Sequence, residues 1–91
     1  MLKLVYKNSF KKDVKKLEKR HYDMGLLDKV IVLLATGEPL PAKYKEHRLS
    51  GRFEHAFECH IAPDWLLTYI RNNETVTLTF IHTGTHSDLF K

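Results

Sequence analysis

The spacing of the apolar residues changes once along the chain, and this change limits the folds that the sequence can adopt. In the first half, apolar side chains such as Phe10 and Val14 recur at helical intervals, as in an amphipathic helix. In the second half they alternate with polar ones, as at Phe57 and Cys59, which is typical of half-buried strands. A chain of 91 residues has enough material for one core, so we expect a single domain over residues 1–91.

The helical half begins with a short strand and continues with two helices. Leu2–Tyr6 is the predicted strand, and Asn8 or Ser9 is a suitable cap for the helix that follows it. A break around residues 23–25 separates this helix from a second one, which ends at Gly37. The two helices are expected to form a hairpin.

The second half predicts an ordered loop over Glu38–Ser50 and then a sheet of antiparallel strands. The predicted strands are Arg52–Ile61 with His55 on its packed side, Trp65–Arg71, and a last strand with Val76, Leu78 and Phe80 on its apolar side. Turns are expected at Ala62-Pro63 and Asn72-Asn73. The order β-α-α-β-β-β predicts an α+β fold, in which a helical hairpin packs on an antiparallel sheet.

Positive charge is concentrated at the start of the chain. Residues 1–20 carry eight Lys and Arg against two acidic residues, a net +6, whereas the remaining residues carry seven basic and nine acidic side chains. Four lysines of the first helix are the candidates for contacting an anion: Lys11, Lys12, Lys15 and Lys16. Such a stripe suits a polyphosphate partner, and it is also compatible with a solvated helix face.

Several classes of protein are excluded by what the sequence lacks. The single cysteine, Cys59, excludes an intramolecular disulfide and a multi-cysteine zinc site. The N-terminal sequence MLKLVYKNSFKKD has no apolar signal-peptide core, and the longest apolar run, Val30–Ala35, is far below the ~20 residues that span a membrane. We therefore expect a cytoplasmic protein with no membrane partner.

Strand pairing is expected to bring several polar side chains to one end of the sheet. With Asn72-Asn73 at one hairpin tip, Pro63 faces His82, and with a tip at Ala62-Pro63, His60 faces Trp65. The residues gathered there would be His60, Asp64, Trp65 and His82, followed by His86 and Phe90 on the C-terminal tail.

Imidazoles beside a carboxylate are suited to acid–base catalysis, because an imidazole can accept or donate a proton near neutral pH. Cleavage of RNA by its own 2′-hydroxyl needs a base, an acid and a cation, but no metal and no protein nucleophile. A zinc site at His82 and His86 is the rival, although Thr83-Gly84-Thr85 is a poor helix. No serine lies on a sharp strand-to-helix turn, which disfavours a Ser-His-Asp hydrolase. His21, His55 and Cys59 are given structural roles.

Two segments also carry a family resemblance, KYKEHRLSGRFEHAFECHIAPDWLLTYI and HTGTHSDLF. Their combination of EHxLxG, CHIxPDWLLxY and TGTHSxLF resembles the YafQ branch of the RelE/ParE superfamily of bacterial toxins. The resemblance covers nearly the whole chain and implies a RelE-like microbial RNase fold. It implies an endoribonuclease that cuts mRNA in the ribosomal A site without a metal or other cofactor. Its implied partners are the ribosome with its rRNA and mRNA, and a cognate antitoxin.

By this resemblance, the family's catalytic positions and its terminal aromatic residue fall on His47, His60, Asp64, His86 and Phe90. The family has an arginine immediately before TGTH, where this chain has His82. Histidine can stabilise a phosphorane in place of arginine only while it is protonated. Two alternatives therefore stay open: a ParE-like inhibitor of DNA gyrase, which would lack the histidine cluster, and a non-catalytic RNA-binding domain.

Overall fold

The computed structural model describes residues 1–49 and 55–90 and confirms the α+β class. Its elements are β1 (Lys3–Tyr6), α1 (Asn8–Lys19), α2 (Met24–Ala35), a 3₁₀ helix (Ala42–Tyr44), β2 (His47–Arg48), β3 (Ala56–Ala62), β4 (Trp65–Asn72), β5 (Thr77–Gly84) and α3 (His86–Leu89). The predicted order holds, with three short additions. β2 and the 3₁₀ helix lie in the segment predicted as a loop, and α3 lies in the predicted tail.

The sheet has five strands in the order β1-β5-β4-β3-β2. β1 runs parallel to β5, and the other neighbouring strands are antiparallel. The chain thus passes through both long helices before it returns to pair β5 with β1, where Tyr6 lies opposite Phe80. This pairing fixes the position of β5, which carries His82.

The core lies between the two long helices and one face of the sheet. Its helical side chains include Phe10, Leu17, Leu27, Val30 and Leu34, and its sheet side chains include Cys59, Leu67, Tyr69, Leu78 and Phe80. The Phe80 ring lies 5.4 Å from that of Phe10 and 5.5 Å from that of Tyr6. Cys59 is completely buried, as predicted, and burial raises the pKa of its thiol to about 12.

The helix starts differ in how they are capped. Neither Asn8 nor Ser9 caps α1, contrary to the prediction, because Lys7 is the N-cap residue and makes no side-chain cap bond. The Ser9 hydroxyl instead donates to the Ile81 carbonyl at 2.6 Å and ties α1 to β5. In α2, the Asp23 carboxylate accepts from the Gly25 N–H at 2.9 Å. In the described part of the chain, no helix is long and apolar enough to cross a membrane.

Two histidines with predicted structural roles lie in turns. The predicted strand Arg52–Ile61 begins only at Ala56, and residues 52–54 lie outside the described residues. His55 is exposed with a φ of 61°, so its predicted place on the packed side of a strand is wrong. His21 is also exposed, with a φ of 63°, just beyond the end of α1.

The β4–β5 hairpin is longer than predicted. Asn72 pairs with Thr77, so residues 73–76 form the turn instead of Asn72-Asn73. The Asn72 side chain stabilises this turn, because its Oδ1 accepts from the N–H groups of Glu74 and Thr75 at 3.0 and 3.2 Å. Val76 is consequently exposed in the turn and is not on the apolar side of the last strand.

The longer turn and a register shift between Thr68 and Tyr69 together displace His82 relative to β4. His82 lies opposite Thr68 and not opposite Pro63 as predicted. Gly84 pairs with Leu66 near the end of the sheet, and His86 follows it in α3. The β3–β4 turn is also displaced, because Ala62 pairs with Trp65 and leaves Pro63 and Asp64 at the tip.

Candidate active site

Three histidine rings form a row that ends at an exposed aromatic side chain. The ring centroids of His47 in β2 and His60 in β3 are 6.3 Å apart, and those of His60 and His86 in α3 are 6.0 Å apart. The Phe90 ring is 6.1 Å from His86 and is 59% exposed. Four of the predicted site residues, contributed by β2, β3 and the α3 segment, therefore line one surface.

Asp64 orients His86. Its Oδ1 is 2.7 Å from the ring Nδ1 of His86 and accepts the backbone N–H of the same residue at 3.1 Å. These hydrogen bonds hold the pKa of Asp64 below its usual range. An ionised carboxylate can only accept, so Nδ1 carries the hydrogen and the other ring nitrogen, Nε2, is free. His86 can then accept a proton at Nε2, or donate one from it when protonated.

His82 forms a second pair of the same design, and it lines a groove together with Phe90. Its Nδ1 is 2.8 Å from Oδ2 of Asp13 in α1, and this oxygen also accepts the Thr83 backbone N–H at 3.1 Å. The His82 side chain is 47% exposed, and its Nε2 is the ring nitrogen left free. Sequence reasoning missed Asp13, whose only distinguishing signal is that it is acidic within the lysine-rich helix.

Glu58 is a further candidate that sequence reasoning missed, since strand alternation assigned it only to the polar side of β3. It lies opposite His47 in the β2–β3 pair, and its Oε1 is 3.2 Å from His47 Nε2. Its side chain is only 7% exposed, and Oε2 has no hydrogen-bond partner in the described part of the chain. The Lys45 carbonyl accepts from His47 Nδ1 at 3.0 Å, so the ring is held at both nitrogens.

Trp65 supports the site from within the core. Its side chain is buried, and its indole N–H donates to the Thr83 hydroxyl at 2.9 Å. That hydroxyl donates in turn to the Leu66 carbonyl at 2.8 Å. The Trp65 ring also meets Tyr22 edge-on at 5.0 Å. Trp65 therefore holds β4 against β5 and does not form part of the exposed surface.

Asp88 attaches α3 to α1. It accepts from the Arg20 guanidinium at 2.9 and 3.2 Å and from the Lys16 ammonium at 3.3 Å. It also completes a capping box with Thr85. These hydrogen bonds lower the pKa of Asp88, and the one with Arg20 has the largest effect. A Cβ atom at Gly84 would lie 3.0 Å from Asp88, so glycine there allows this close approach.

We expect Asp88→Asn to release α3 without unfolding the protein, because asparagine keeps the size of the side chain but loses the ion pairs with Arg20 and Lys16. Amide exchange over residues 85–90 should rise. Any catalytic activity that depends on His86 should fall about 10- to 100-fold, since small displacements of reacting groups have effects of this size.

Lowering the pH should have the same effect in the parent protein. The pKa of Asp88 is lowered in the folded state, so its stabilising contribution is present above the ordinary carboxyl pKa and is lost as the pH falls towards the lowered value. Asp28→Asn, at an exposed position of α2, is the matched control. Unchanged exchange over residues 85–90 in Asp88→Asn would show that packing alone holds α3.

The lysines of α1 divide into two groups. Lys11, Lys12 and Lys15 are exposed on the helix surface away from the buried Phe10. Lys16 is exposed as well but is paired with Asp88, which neutralises part of its charge. The first three are therefore the better candidates for contacting an anionic partner.

His82 and His86, the pair considered for zinc, are bonded at Nδ1 to different carboxylates, those of Asp13 and Asp64. Within residues 1–49 and 55–90, no group of three or more His, Cys, Asp or Glu side chains is placed to hold a metal ion.

Known proteins with similar sequences and structures were then compared with the chain. A family model described as "Bacterial toxin of type II toxin-antitoxin system, YafQ" matches residues 2–91. The mRNA interferase toxin YafQ of Escherichia coli K12 is 42% identical over 86 residues, which cover 93% of this chain and 91% of that protein.

Solved structures give the same result. The crystal structure of the E. coli DinJ-YafQ complex contains a chain that matches with a TM-score of 0.93 and 39% identity, over 100% of both chains. A metal-bound toxin from Helicobacter pylori matches with a TM-score of 0.92 and 43% identity, over 99% of this chain and 100% of that one. The chain therefore belongs to the YafQ family of bacterial toxins of type II toxin–antitoxin systems.

Proposed function

We propose that this toxin is a ribosome-dependent endoribonuclease that cuts mRNA in the ribosomal A site by acid–base catalysis. The observation that carries this proposal is the pair of carboxylate-oriented histidines, His86 with Asp64 and His82 with Asp13. In each pair a carboxylate holds Nδ1 and leaves Nε2 free. Both histidine side chains are about half exposed, so a phosphate group of RNA can reach them.

The reaction begins when a base removes the proton of the 2′-hydroxyl and the oxygen attacks the adjacent phosphorus. The 5′-oxygen leaves with a proton from an acid, which gives a 2′,3′-cyclic phosphate and a 5′-hydroxyl. His86 acts through Nε2 as one proton-transfer group, and His60, 6.0 Å away, is placed to be the other. Asp64 keeps His86 in the required tautomer.

The phosphorane carries additional negative charge, which a nearby cation stabilises. Protonated His82 supplies that charge, and Asp13 orients the ring by accepting from its Nδ1. His47 is held between Glu58 and the Lys45 carbonyl, and it contacts the substrate phosphate when the RNA replaces one of these two partners. Phe90 is exposed beside His86 and stacks on a base of the RNA.

The need for the ribosome follows from how open this surface is. Phe90 is the aromatic side chain at the end of the histidine row, and one such residue orients a flexible single strand poorly. The E. coli relative is named an mRNA interferase toxin, which supports mRNA as the substrate.

The test is to incubate the purified protein with a defined mRNA, either free or bound in a programmed ribosome. We expect cleavage at a codon-determined position in the ribosomal complex and little cleavage of free mRNA. Equally efficient cutting of free mRNA at the same position would contradict ribosome dependence. Ribosome binding without any cleavage would favour a non-catalytic RNA-binding domain, and inhibition of DNA gyrase a ParE-like function.

We also propose that an antitoxin silences this protein in the bacterial cytoplasm. The support is the family itself and the crystal structure of the E. coli relative with DinJ. Because α1 is strongly basic, an acidic segment of the antitoxin should cover part of it.

Replacing Lys11, Lys12 and Lys15 with glutamine should weaken binding to the ribosome and flatten its dependence on salt. The reason is that each lost phosphate contact removes about 0.7 to 0.9 from the slope of log K against log salt. The matched control replaces Lys3, Lys7 and Lys19, which are also exposed, and removes the same charge. An equal loss of affinity in both variants would show that only net charge matters.

A further inference from the structure

Two grooves of opposite character flank the histidine row. One, of about 170 Å³, has an apolar wall and is lined by His82, Phe90 and side chains that include Leu49, Ile81 and Leu89. The other, of about 360 Å³, lies between α2, the 3₁₀ helix and the end of β3, and His60 forms part of its wall. His86 lies between them, 6.0 Å from His60 and 6.1 Å from Phe90 in ring centroids.

The larger groove is cationic. Lys29 reaches it from α2, and Lys43 and Lys45 reach it from the 3₁₀ helix and the residue that follows. All three lysines are exposed, and none of the described residues that line the groove is acidic. In the described part of the chain, ion pairs are formed by Lys16, Arg20 and Arg71 but not by these lysines.

The positive charge of this groove contrasts with the slight negative net charge of the chain beyond residue 20. Beyond residue 20 the chain carries seven basic and nine acidic side chains, yet three of those basic residues converge on one groove. The aromatic residue of the groove, Tyr44, is only 6% exposed, so its face is not free for a base to stack on. Ammonium groups without an open aromatic platform suit phosphate oxygens better than bases.

We propose that this groove, defined by Lys29, Lys43, Lys45 and His60, binds the backbone of the mRNA strand beside the scissile phosphate. The inference rests on the proposed ribonuclease function. His60 belongs both to the groove and to the histidine row, so a strand cut at His86 and His60 passes directly into the groove on one side. On the other side, the base next to the cut lies towards Phe90 and the apolar groove.

The groove thus binds the RNA backbone on the His60 side of the cut by electrostatic attraction. Such binding does not depend on the base sequence of the RNA. Lys45 contributes to this arrangement in two ways. Its side chain lines the groove, and its backbone carbonyl accepts from His47 Nδ1. A substitution that changes only the side chain of Lys45 leaves that carbonyl in place, so the contribution of its ammonium group can be tested separately.

The experiment uses a short single-stranded RNA that is fully 2′-O-methylated and therefore cannot be cut. It is titrated into the isotope-labelled full chain and followed by NMR, which detects millimolar affinities. We expect shifts of the amide signals at residues 43–45 and 60–62. In the variant Lys29→Gln, Lys43→Gln, Lys45→Gln the affinity should fall about 5- to 20-fold, and the salt slope by up to about 2, given about 0.7 per phosphate contact.

Three comparisons distinguish the possible outcomes. The control triple Lys3→Gln, Lys7→Gln, Lys19→Gln should keep the affinity of the parent, and Lys→Arg at the three groove positions should restore most of it. Absence of shifts in the groove at millimolar RNA, or an equal loss in both glutamine triples, overturns the proposal. A groove variant that loses ribosome binding but keeps its affinity for the RNA strand also overturns it, because the groove would then serve rRNA.

Failure of this inference is separable from failure of the proposed function. If the parent cuts ribosome-bound mRNA and the groove variant cuts it equally well at every mRNA concentration, only the groove assignment is wrong. If the parent does not cut but its groove still binds the methylated strand, the ribonuclease function is wrong and the binding site stands.

Discussion

Substitution of His86 by alanine should reduce cleavage of ribosome-bound mRNA about 10²- to 10⁴-fold, the usual scale for one acid–base group. Binding to the ribosome should change little, because His86 lies on α3 and the lysine-rich surface lies on α1. The measurement is single-turnover cleavage in the programmed ribosome, with ribosome affinity determined in parallel. Full cleavage by a folded His86→Ala protein would contradict the assignment.

Two further variants make this test more specific. Asp64→Asn should lower activity less than His86→Ala, since asparagine can still contact Nδ1 but no longer fixes the tautomer. His21→Asn is the matched control, because it removes an exposed imidazole elsewhere and asparagine tolerates the left-handed backbone found there, with a φ of 63°. Cleavage by this control should equal that of the parent.

Substitution of His82 should distinguish a charge-stabilising role from a proton-transfer role. His82→Ala should lower cleavage about 10²- to 10³-fold, the cost of removing one group that stabilises the transition-state charge. His82→Arg should retain or increase activity, because arginine is permanently charged.

The pH profile provides the sharper comparison. A histidine is charged only while it is protonated, in the pH range where imidazoles titrate, whereas arginine is charged throughout. Activity of the parent should therefore fall towards high pH, and His82→Arg should keep its activity there. Single-turnover cleavage between about pH 5.5 and 8.5 covers this range. If the two profiles superimpose, or if a folded His82→Arg protein is inactive, His82 acts in proton transfer.

The contact between Asp13 and His82 can be tested in the same assay. Asp13→Asn removes the carboxylate that lies 2.8 Å from His82 Nδ1 and should lower activity in the parent. The same change should matter less when residue 82 is arginine, because Asp13 then has no imidazole ring to orient. A double-mutant cycle measures this difference directly, and an equal effect in both backgrounds would assign Asp13 a purely structural role.

The sequence by itself determined the class of fold and the grouping of His60, Asp64 and His86. The spacing of Phe10, Val14 and Leu17 requires a helix against a core, and the alternation around Cys59 requires a half-buried strand. Such patterns are local, because they depend only on which side of an element meets the core. His60, Asp64 and His86 were expected together, and they are together because Asp64 lies in the turn that follows β3 and accepts from His86.

Only the tertiary structure decided which carboxylates accompany the other histidines. Glu58 meets His47 because β2 forms in a segment that had no periodicity. Asp13 meets His82 across 69 residues of sequence. That contact depends on how α1 lies along β5, which the parallel pairing of β1 with β5 and the Ser9–Ile81 hydrogen bond determine. Such long-range contacts leave no local pattern in the sequence, and for this reason the sequence alone could not identify the carboxylate beside His82.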